Sequence, residues 1–511
     1  MFEGSTPRRA GPSCPPSSHR PSRSLALRAD MEQDVDVHQH YIGGRWTPSR
    51  GTVAVLNPSD GVKMAEIARG GAAEIDAAVA AGHAAMKGAW GELDAVSRGR
   101  LLMKVADLIR RDAEKLARLE SEDVGKPMTL ARGDVAVCAR YFEYYGAAAD
   151  KVHGETIPFM NGHSVMTFYE PHGVTAHIVP WNYPLQMMGR SVAPSLAMGN
   201  AVVLKPAEDT SLTALALVRL TEEAGFPAGV FNVVTGLGDE AGAALAAHPG
   251  IGHVSFTGSR EVGVLVQAAA AKNTIPVTLE LGGKSPQVVF GDADFTEAGA
   301  TIVRGIAQNA GQTCSAGSRV LIEDSVYDKF TGELAERFRA LCVGSASQDL
   351  DLGPVVNATQ KARVERYIDI ARRDKLPVLA EGAFGGNLPE GGYYVKPTLI
   401  GDVPPDHVLG QEEIFGPVLV AMRFKDEDDA IRIANCTPYG LAAGVWTSNL
   451  GRSMRLSRKI QSGQVFVNNY GAGGGVELPF GGMKGSGHGR EKGFEALYAF
   501  GALKTVTIKH G

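Results

Sequence analysis

The chain has 511 residues, more than a single hydrophobic core usually organises, so two or more structural units are expected. Hydrophobic residues make up 44% and charged residues 21%, as in ordinary globular proteins, and the formal net charge of −5 argues against a nucleic-acid-binding protein. No apolar run approaches the roughly 18 residues that a membrane-spanning helix needs, so no membrane partner is predicted.

Residues 1–30 differ in composition from the rest of the chain. They are rich in Pro, Ser and Arg and contain only two acidic residues, Glu3 and Asp30. Such a segment cannot bury a core, so it is predicted to be a disordered N-terminal extension. An Arg- and Ser-rich, acid-poor segment is also typical of organelle transit peptides, but its prolines disfavour an amphipathic helix. A non-functional extension before Met31, and a cytoplasmic protein, are therefore preferred.

The remaining chain alternates between helical and strand patterns. Helices are predicted at 72–90, 97–122 and 134–149, followed by short apolar strands at 174–179, 201–204, 230–234, 253–256 and 277–279, most of them separated by helices. A second alternating block has strands at 288–290, 319–322, 418–424 and 442–447. Buried strands that alternate with helices form parallel sheets. The predicted fold is therefore α/β, with two parallel-sheet domains, while strands at 165–169 and 505–509 form a small third unit.

Five cysteines were weighed as reactive residues, and none of them forms a CxxC pair, so no metal site is predicted. Cys314 lies in the Gly- and Ser-rich loop 311–319, where backbone N–H groups can stabilise a thiolate. Cys138, Cys342 and Cys436 lie in apolar stretches that read as helical and are interpreted as buried small hydrophobic residues. From its local context alone, Cys314 is equally compatible with a reactive and a structural role.

Two further residues have the chemistry that a cysteine nucleophile needs. Glu280 ends an apolar strand, where burial can raise the pKa of a carboxylate and make it a general base, although a surface carboxylate beside Lys284 is equally compatible. Asn182 follows a strand in the loop 179–184 and offers an amide N–H to an oxyanion, although by itself it reads better as a turn residue.

A nucleotide site is indicated at two other strand ends. Lys205 and Glu208 follow the strand at 201–204, and such residues can hold the ribose of a dinucleotide. Gly258 and Ser259 open the helix after the strand at 253–256, where the N-terminus suits a pyrophosphate. With Gly263 this segment is not a GxGxxG motif, so it is weak evidence alone.

Together these segments resemble the aldehyde dehydrogenase family over about residues 36–509. The motifs occur in the order typical of that family, and they are PWNYP at 180–184, KPAE at 205–208, FTGS at 256–259, ELGGKSP at 280–286, GQTC at 311–314, EEIFGPV at 412–418 and PFGGMKGSGHGRE at 479–491. Each motif is modest, but seven in order make chance agreement negligible. The resemblance turns Cys314, Glu280 and Asn182 into the expected catalytic residues.

The resemblance also implies a mechanism and a cofactor site. The Cys314 thiolate attacks the aldehyde, Asn182 and the Cys314 N–H hold the oxyanion, hydride passes to NAD, and Glu280 activates the water that hydrolyses the thioester. The implied cofactor-binding residues lie in both blocks. Those of the first block are Ile178, Trp181, Lys205, Glu208, Gly238, Gly258, Ser259, Gly263 and Leu281, and those of the second are Glu413 and Phe415. No metal is implied.

The domain boundaries follow from the same resemblance. The segments 31–148 and 172–283 are expected to form a Rossmann-like NAD-binding domain and 284–483 the catalytic domain. The segments 149–171 and 484–511 are expected to form a small β oligomerisation unit, because an unpaired edge strand can add a partner chain. A homodimer or homotetramer is therefore expected.

Several alternatives stay open at this stage. The carboxylate of Glu208 would repel a 2′-phosphate, which favours NAD over NADP without excluding it. Glu280 favours hydrolysis over acyl transfer, although an acyl-transferring or esterase-like relative and a non-catalytic relative were both considered. The implied substrate is a small aldehyde. The entrance to its binding site is expected to be lined by residues 186–188, 313, 315 and 470–477. Semialdehyde and betaine aldehyde specificities are both compatible with the motifs, and Arg190 is a candidate partner for a substrate carboxylate.

Overall fold

The computed structural model describes residues 37–49, 51–471 and 475–511. The N-terminal extension, Cys14 and the glycine-rich residues 472–474 lie outside the described residues. The helices are α1 Ala72–Lys87, α2 Ala95–Arg111, α3 Ala113–Val124, α4 Met128–Ala148, α5 Pro184–Ala197, α6 Leu212–Ala224, α7 Ala243–Ala247, α8 Arg260–Ala271, α9 Phe295–Ala307, α10 Tyr327–Arg339, α11 Ala358–Arg373, α12 Val408–Gln411, α13 Glu427–Asn435, α14 Leu450–Lys459 and α15 Glu495–Ala499.

The strands belong to two large sheets and three small ones. In chain order they are β1 Val37–His38, β2 His40–Ile42, β3 Arg45–Thr47, β4 Thr52–Leu56, β5 Lys63–Ala68, β6 Thr156–Ile157, β7 His163–Pro171, β8 Val174–Val179, β9 Ala201–Pro206, β10 Phe231–Val233, β11 His253–Thr257, β12 Val277–Glu280, β13 Pro286–Val289, β14 Arg319–Glu323, β15 Cys342–Val343, β16 Val378–Glu381, β17 Ala383–Phe384, β18 Thr398–Ile400, β19 Val418–Phe424, β20 Ala442–Trp446, β21 Gln464–Val467, β22 Gly487–His488 and β23 Gly501–Lys509.

The first sheet has eight strands in the order β22-β12-β11-β8-β9-β10-β2-β3. The five strands from β12 to β10 run parallel, whereas β22 and β2 are antiparallel additions at either side. These central strands are buried along nearly their whole length because helices cover both faces, as is usual for parallel sheets. Their carboxyl ends therefore meet at one edge, where ligands bind in such folds.

The second sheet has seven strands in the order β16-β18-β19-β14-β13-β20-β21, and only β16 is antiparallel to its neighbour. Its inner strands are again buried apolar runs, and α9, α10 and α13 pack beside them. The predicted α/β class with two parallel sheets is confirmed. Each sheet has hydrophobic clusters of its own.

The small third unit is built from β23, β7 and β6. The last strand pairs with β7 in antiparallel register over nine residues, from Gly501 opposite Pro171 to Lys509 opposite His163. Residues 487–488 fall in the segment expected to join this unit, but they pair instead with β12 of the first sheet. The positive φ of Gly487, which is +105°, lets the chain approach Leu279 closely enough for that pairing.

Several local predictions were wrong. The helix expected at 97–122 is two helices, because the chain turns at Asp112, which ends α2 and begins α3. Cys342 lies in a short strand rather than a helix, and Cys436 follows α13 and is exposed. The buried helix α5 was not predicted, although it begins with a proline at its first position, a known start signal.

Candidate active site

Cys314 lines a cavity of about 760 Å³. Six of the predicted wall residues also line it, and they are Gln186, Met187, Thr313, Ser315, Tyr470 and Gly471. Met188, predicted for the same wall, is fully buried and does not line the cavity. Aromatic side chains also contribute to the lining, and they are Tyr141, Tyr183, Phe466 and Phe480. The lining therefore combines aromatic side chains with charged ones, among them Asp134 and Arg190.

A tight left-handed turn presents Cys314 to this cavity. Asn309, Ala310 and Gly311 have φ values of 49°, 52° and 72°, and a Cβ on Gly311 would lie 2.1 Å from the Gly416 carbonyl oxygen. Burial raises the pKa of the Cys314 thiol to about 11, although the Arg190 guanidinium acts in the opposite direction. The thiol is therefore protonated at neutral pH and must lose its proton before it reacts.

Asn182 is held beside the nucleophile loop. Its side-chain Nδ2 donates to the carbonyl oxygen of Gln312, two residues before Cys314, at 2.9 Å. The Asn182 carbonyl accepts hydrogen bonds from Lys126 Nζ at 3.0 Å and Asn309 Nδ2 at 2.9 Å. One amide hydrogen of Asn182 is thus used within the protein, and the second remains for a reactant.

Glu280 closes the same region from the first sheet. It is the last residue of β12, and its two carboxylate oxygens are buried with no hydrogen-bond partner in the described part of the chain. Gly481 lies against it, since a Cβ there would be 2.8 Å from Glu280 Oε1. Burial raises the pKa of Glu280 well above its usual value, and nearby Glu491 raises it further. A carboxyl with a raised pKa is suited to general base work.

Arg190 and Glu491 form a buried ion pair next to Glu280. Arg190 also donates to Thr257 Oγ1 at 3.1 Å, and Glu491 accepts from Ser255 Oγ at 2.8 Å. Arg190 lines the cavity, as its candidate role required, but its charge is already matched by Glu491. It is therefore engaged in the protein rather than free to hold a substrate carboxylate.

The candidate cofactor residues lie at the carboxyl edge of the first sheet. Strand register places Ile178 beside both Lys205 and Phe256, and it places Thr257 beside Glu280. Gly258 continues this edge, because its N–H donates to the Glu280 carbonyl oxygen at 3.1 Å. This is the edge at which parallel sheets bind dinucleotides.

Lys205 and Glu208 form an ion pair of 2.7 Å on this edge. Burial raises the pKa of Glu208, but the Lys205 ammonium outweighs that effect and lowers the pKa overall. Gly238 begins the helical turn Gly238–Gly242, which lies close by, since a Cβ on Gly242 would be 3.9 Å from Lys205 Cδ. The pair can receive ribose hydroxyls on its carboxylate side.

Ser259, Gly263 and Leu281 form the start of α8 and its packing contact. Ser259 is the N-cap, and its Oγ accepts from the Val262 N–H at 3.3 Å. A Cβ on Gly263 would lie 2.5 Å from Leu281 Cδ2, so glycine is needed for the helix to approach β12 this closely. The helix N-terminus therefore faces the sheet edge with its backbone N–H groups.

A loop before β19 of the second sheet lies against the same edge. This loop contains Glu413 and Phe415, and it meets Trp181, which follows β8. Glu413 Oε1 accepts from the Gly283 N–H at 2.8 Å, and burial raises the pKa of Glu413 to about 7. The rings of Trp181 and Phe415 meet edge to face with centroids 5.3 Å apart. The predicted catalytic residues therefore gather around the Cys314 loop, and the predicted cofactor residues gather along the carboxyl edge of the first sheet.

Sequence reasoning missed the buried partners of these residues. Lys126 was interpreted only as part of a helix end, and Asn309 and Gln312 were not singled out. Each acts through contacts to residues far away in the chain, for which a single sequence contains no local signal. Within the described residues, no group of His, Cys, Asp or Glu is arranged to hold a metal ion, and no helix has the length and apolarity to cross a bilayer.

Comparison with known proteins gives a consistent result. The family model described as "Aldehyde dehydrogenase family" matches residues 46–506. An aldehyde dehydrogenase from Emericella nidulans is 44% identical over 462 residues, which cover 90% of this chain and 92% of that protein.

Solved structures agree with this match. A crystal structure described as an aldehyde dehydrogenase from Burkholderia cenocepacia has a TM-score of 0.92 and 57% identity, covering 93% of this chain and all of that chain. The betaine aldehyde dehydrogenase of Staphylococcus aureus, solved with NAD+, has a TM-score of 0.89 and 34% identity, covering 93% of this chain and 95% of that chain. The chain belongs to the aldehyde dehydrogenase family.

Proposed function

We propose that Cys314 is the nucleophile with which this aldehyde dehydrogenase oxidises a small aldehyde to its carboxylic acid, with NAD as the hydride acceptor. The observation that carries the proposal is the hydrogen bond from Asn182 Nδ2 to the Gln312 carbonyl, which holds an amide donor beside the Cys314 loop. The segment that follows Glu280 also contacts the Cys314 loop, because a Cβ on Gly283 would lie 2.5 Å from the Cys314 carbonyl oxygen, and the Glu280 carboxylate is near enough to help raise the pKa of the Cys314 thiol.

In the first half-reaction, the Cys314 thiol transfers its proton to water, and the sulfur forms a bond to the aldehyde carbon as the carbonyl π electrons move onto the oxygen. The carbonyl oxygen becomes an oxyanion, which the remaining Asn182 N–H and the Cys314 backbone N–H stabilise. NAD, when bound, supplies an acceptor for the hydride that leaves this carbon. The aldehyde carbon is thereby oxidised and remains attached to Cys314 as a thioester.

In the second half-reaction, Glu280 removes a proton from water, and the resulting hydroxide attacks the thioester carbon. Asn182 holds the oxyanion again until the carbon–sulfur bond breaks. The Cys314 sulfur is the leaving group in this step, and the carboxylic acid is released from the protein. The raised pKa of Glu280 gives it the basicity for this step, while the Arg190 guanidinium opposes the rise. Hydrolysis is therefore proposed over transfer of the acyl group.

The sheet edge fits NAD. Its adenosine ribose would lie at Lys205 and Glu208, its pyrophosphate at the α8 N-terminus near Ser259, and its nicotinamide ribose at Glu413. Because Gly263 packs closely against Leu281, the N-terminus of α8 lies close to the sheet, as a pyrophosphate site requires. A carboxylate at Glu208 is repelled by a 2′-phosphate, which supports NAD over NADP.

The roles of the units along the chain are proposed from the same resemblance. We propose that 31–148 and 172–283 bind NAD, that 284–483 carry the nucleophile, and that the strand pair β7–β23 belongs to a homodimer or homotetramer interface. The exposed apolar side chains Leu503 and Ile508 on β23 support this role, because such a face invites a partner. A cytoplasmic location stays a prediction.

The proposal is tested with a panel of aldehydes and purified protein, following NADH formation with NAD and, in parallel, with NADP. We expect turnover with NAD and without coenzyme A, and none with Cys314→Ala. Turnover that requires coenzyme A would identify an acyl-transferring enzyme instead. Wild-type turnover by Cys314→Ala would contradict the assignment of the nucleophile.

A further inference from the structure

Lys126 is a charged side chain buried directly behind the oxyanion loop. Its residue is 1% exposed, and the Nζ atom donates to Glu120 Oε1 at 3.2 Å, to Asp134 Oδ2 and to the Asn182 carbonyl oxygen at 3.0 Å. An ammonium group has three hydrogens, so each of them has one acceptor. The ammonium also lies 4.3 Å from the centre of the Tyr183 ring, the residue after Asn182.

A tight turn delivers Lys126 to this position. Gly125 ends α3 with a φ of +83°, and a Cβ there would lie 2.8 Å from both Pro58 and Pro354. Pro127 then begins α4, so the lysine is held between a left-handed residue and a proline. Burying a charge is costly unless it is fully paired. The turn and the two carboxylates together make this burial possible.

Asn182 is held from both of its ends. Lys126 and Asn309 donate to its backbone carbonyl, and its own side chain donates to the Gln312 carbonyl. Gln312 is in turn fixed through its side chain, which donates to the Asn309 carbonyl at 3.0 Å and accepts from the Val356 N–H at 2.9 Å. Lys126 is the charged donor among these contacts, and charged hydrogen bonds are the strongest.

We propose that Lys126 is a positioning residue that aims the Asn182 amide at the oxyanion of the reacting carbonyl. The proposal rests on the proposed function, in which Asn182 stabilises that oxyanion. Lys126 acts through the Asn182 backbone and contacts neither substrate nor cofactor. Asp134 links the same ammonium to the substrate cavity, because it lines the cavity and accepts from Gln186 Nε2 at 2.6 Å.

A positioning role and a purely stabilising role differ in which reactions of Cys314 they affect. Acylation of Cys314 by 4-nitrophenyl acetate passes through a tetrahedral oxyanion, whereas alkylation by iodoacetamide has no oxyanion. A misplaced Asn182 should slow the first reaction and spare the second. A general loss of structure would slow both.

The experiment compares wild type, Lys126→Met and Lys126→Arg in both reactions. We expect Lys126→Met to lower the rate of acylation by about 10- to 100-fold, as expected when an oxyanion donor is misplaced. Alkylation should stay within about twofold, since no oxyanion forms. Lys126→Arg keeps a charged donor and should recover part of the acylation rate. Equal loss in both reactions, or no loss in acylation, would overturn the proposal.

Two controls keep the test decisive. Lys104→Met removes a lysine that also donates to a backbone carbonyl, that of Ala224 at 3.1 Å, but far along the chain from the oxyanion loop, and it should react normally. Should Lys126→Met unfold because Glu120 and Asp134 are left unpaired, the combined variant Glu120→Gln, Lys126→Met, Asp134→Asn removes all three charges. This variant should fold and still acylate slowly. Wild-type acylation by it would refute the positioning role.

Asn182→Ala separates this inference from the proposed function. We expect it to acylate at least as slowly as Lys126→Met, and combining the two changes should add little, because both act on one donor. Normal acylation by Asn182→Ala would remove the proposed oxyanion donor itself. Slow acylation by Asn182→Ala with normal acylation by Lys126→Met would reject only the role of Lys126.

Discussion

The nucleophile cavity and the carboxyl edge of the first sheet treat their polar groups in opposite ways. At the sheet edge, Lys205 pairs with Glu208 and Glu413 accepts from Gly283, so these charged groups already have partners in the protein. Beside the nucleophile loop, both oxygens of Glu280 are buried without a partner among the described residues. The proposed general base is thus unpartnered, whereas the two proposed ribose-binding carboxylates are partnered.

This difference has an energetic reason. A binding group can exchange one partner for another, so pairing it in the free protein costs little and keeps the fold stable. A general base must have a high proton affinity, and a buried carboxylate without donors has one. The unpartnered state of Glu280 therefore lowers stability in order to raise basicity, as strained functional sites often do.

The largest expected effect comes from removing the proposed nucleophile, which lines the cavity. Cys314→Ala removes the atom that holds the substrate carbon, so dehydrogenase turnover should fall by at least about 10³-fold. NADH formation with a good aldehyde measures this loss. Cys436→Ala, at an exposed cysteine, is the matched control and should keep full activity. Comparable losses in both variants would point to general damage.

Glu280→Gln tests whether the unpartnered carboxylate is the base. Hydrolysis should slow by about 10²- to 10⁴-fold, the usual contribution of a general base, while the first hydride transfer slows less. A burst of NADH followed by slow turnover would show this in stopped-flow. Because the pKa of Glu280 is raised, wild-type hydrolysis should accelerate as pH rises through that pKa, and the variant should lack this limb. Equal slowing of both steps would indicate another base.

The binding side is tested at Glu208. Glu208→Ser removes the charge that opposes a 2′-phosphate, and the ratio of kcat/KM for NADP over NAD should rise by about tenfold, equivalent to ~1.4 kcal/mol. Glu223→Ser, at a carboxylate that pairs with Arg111 on the surface, is the control and should leave the ratio unchanged. A ratio that does not move in Glu208→Ser would place the adenosine ribose elsewhere.

The last prediction has the smallest expected effect on activity and concerns a buried polar atom outside both regions. His177 Nδ1 also lacks a partner among the described residues, and burial lowers the pKa of His177 to about 3. Its unfolded pKa is higher, so its contribution to stability is complete above pH ~6.5 and is lost as pH falls toward 3, by up to ~1.4 kcal/mol per unit. His177→Gln should flatten the fall of Tm with acid and leave neutral activity unchanged. An unaltered acid profile would contradict this account.

The sequence predicted the parts of the fold that repeat a local pattern. The strands at 253–256 and 319–322 are apolar runs followed by helices, and they appear as β11 and β14. The break at Asp112 was not predicted because the residues on both sides favour helix. The pairing of β22 with β12 was not predicted because two residues carry no strand pattern.

The candidate site likewise contains residues that the sequence predicted and residues that it did not. Cys314, Glu280 and Asn182 lie in recognisable motifs, and the structure brings their loops together, while their catalytic roles stay predictions. Lys126 and Glu491 were not predicted, because what defines them is a buried contact far along the chain: Lys126 donates to the Asn182 carbonyl, and Glu491 pairs with Arg190. Such pairs depend on the folded arrangement of several elements, and no spacing along one sequence encodes them.

The short strand β22 also affects when the site can exist. It pairs Gly487 with Glu280, and the nearby Glu491 reaches Arg190, so the surroundings of the base include residues from the last thirty of the chain. Both residues are far from Glu280 along the chain, so the base gains its final environment only once this distant segment has packed against β12. A protein in which the segment is displaced would retain the Cys314 thiol but lose the surroundings of its base.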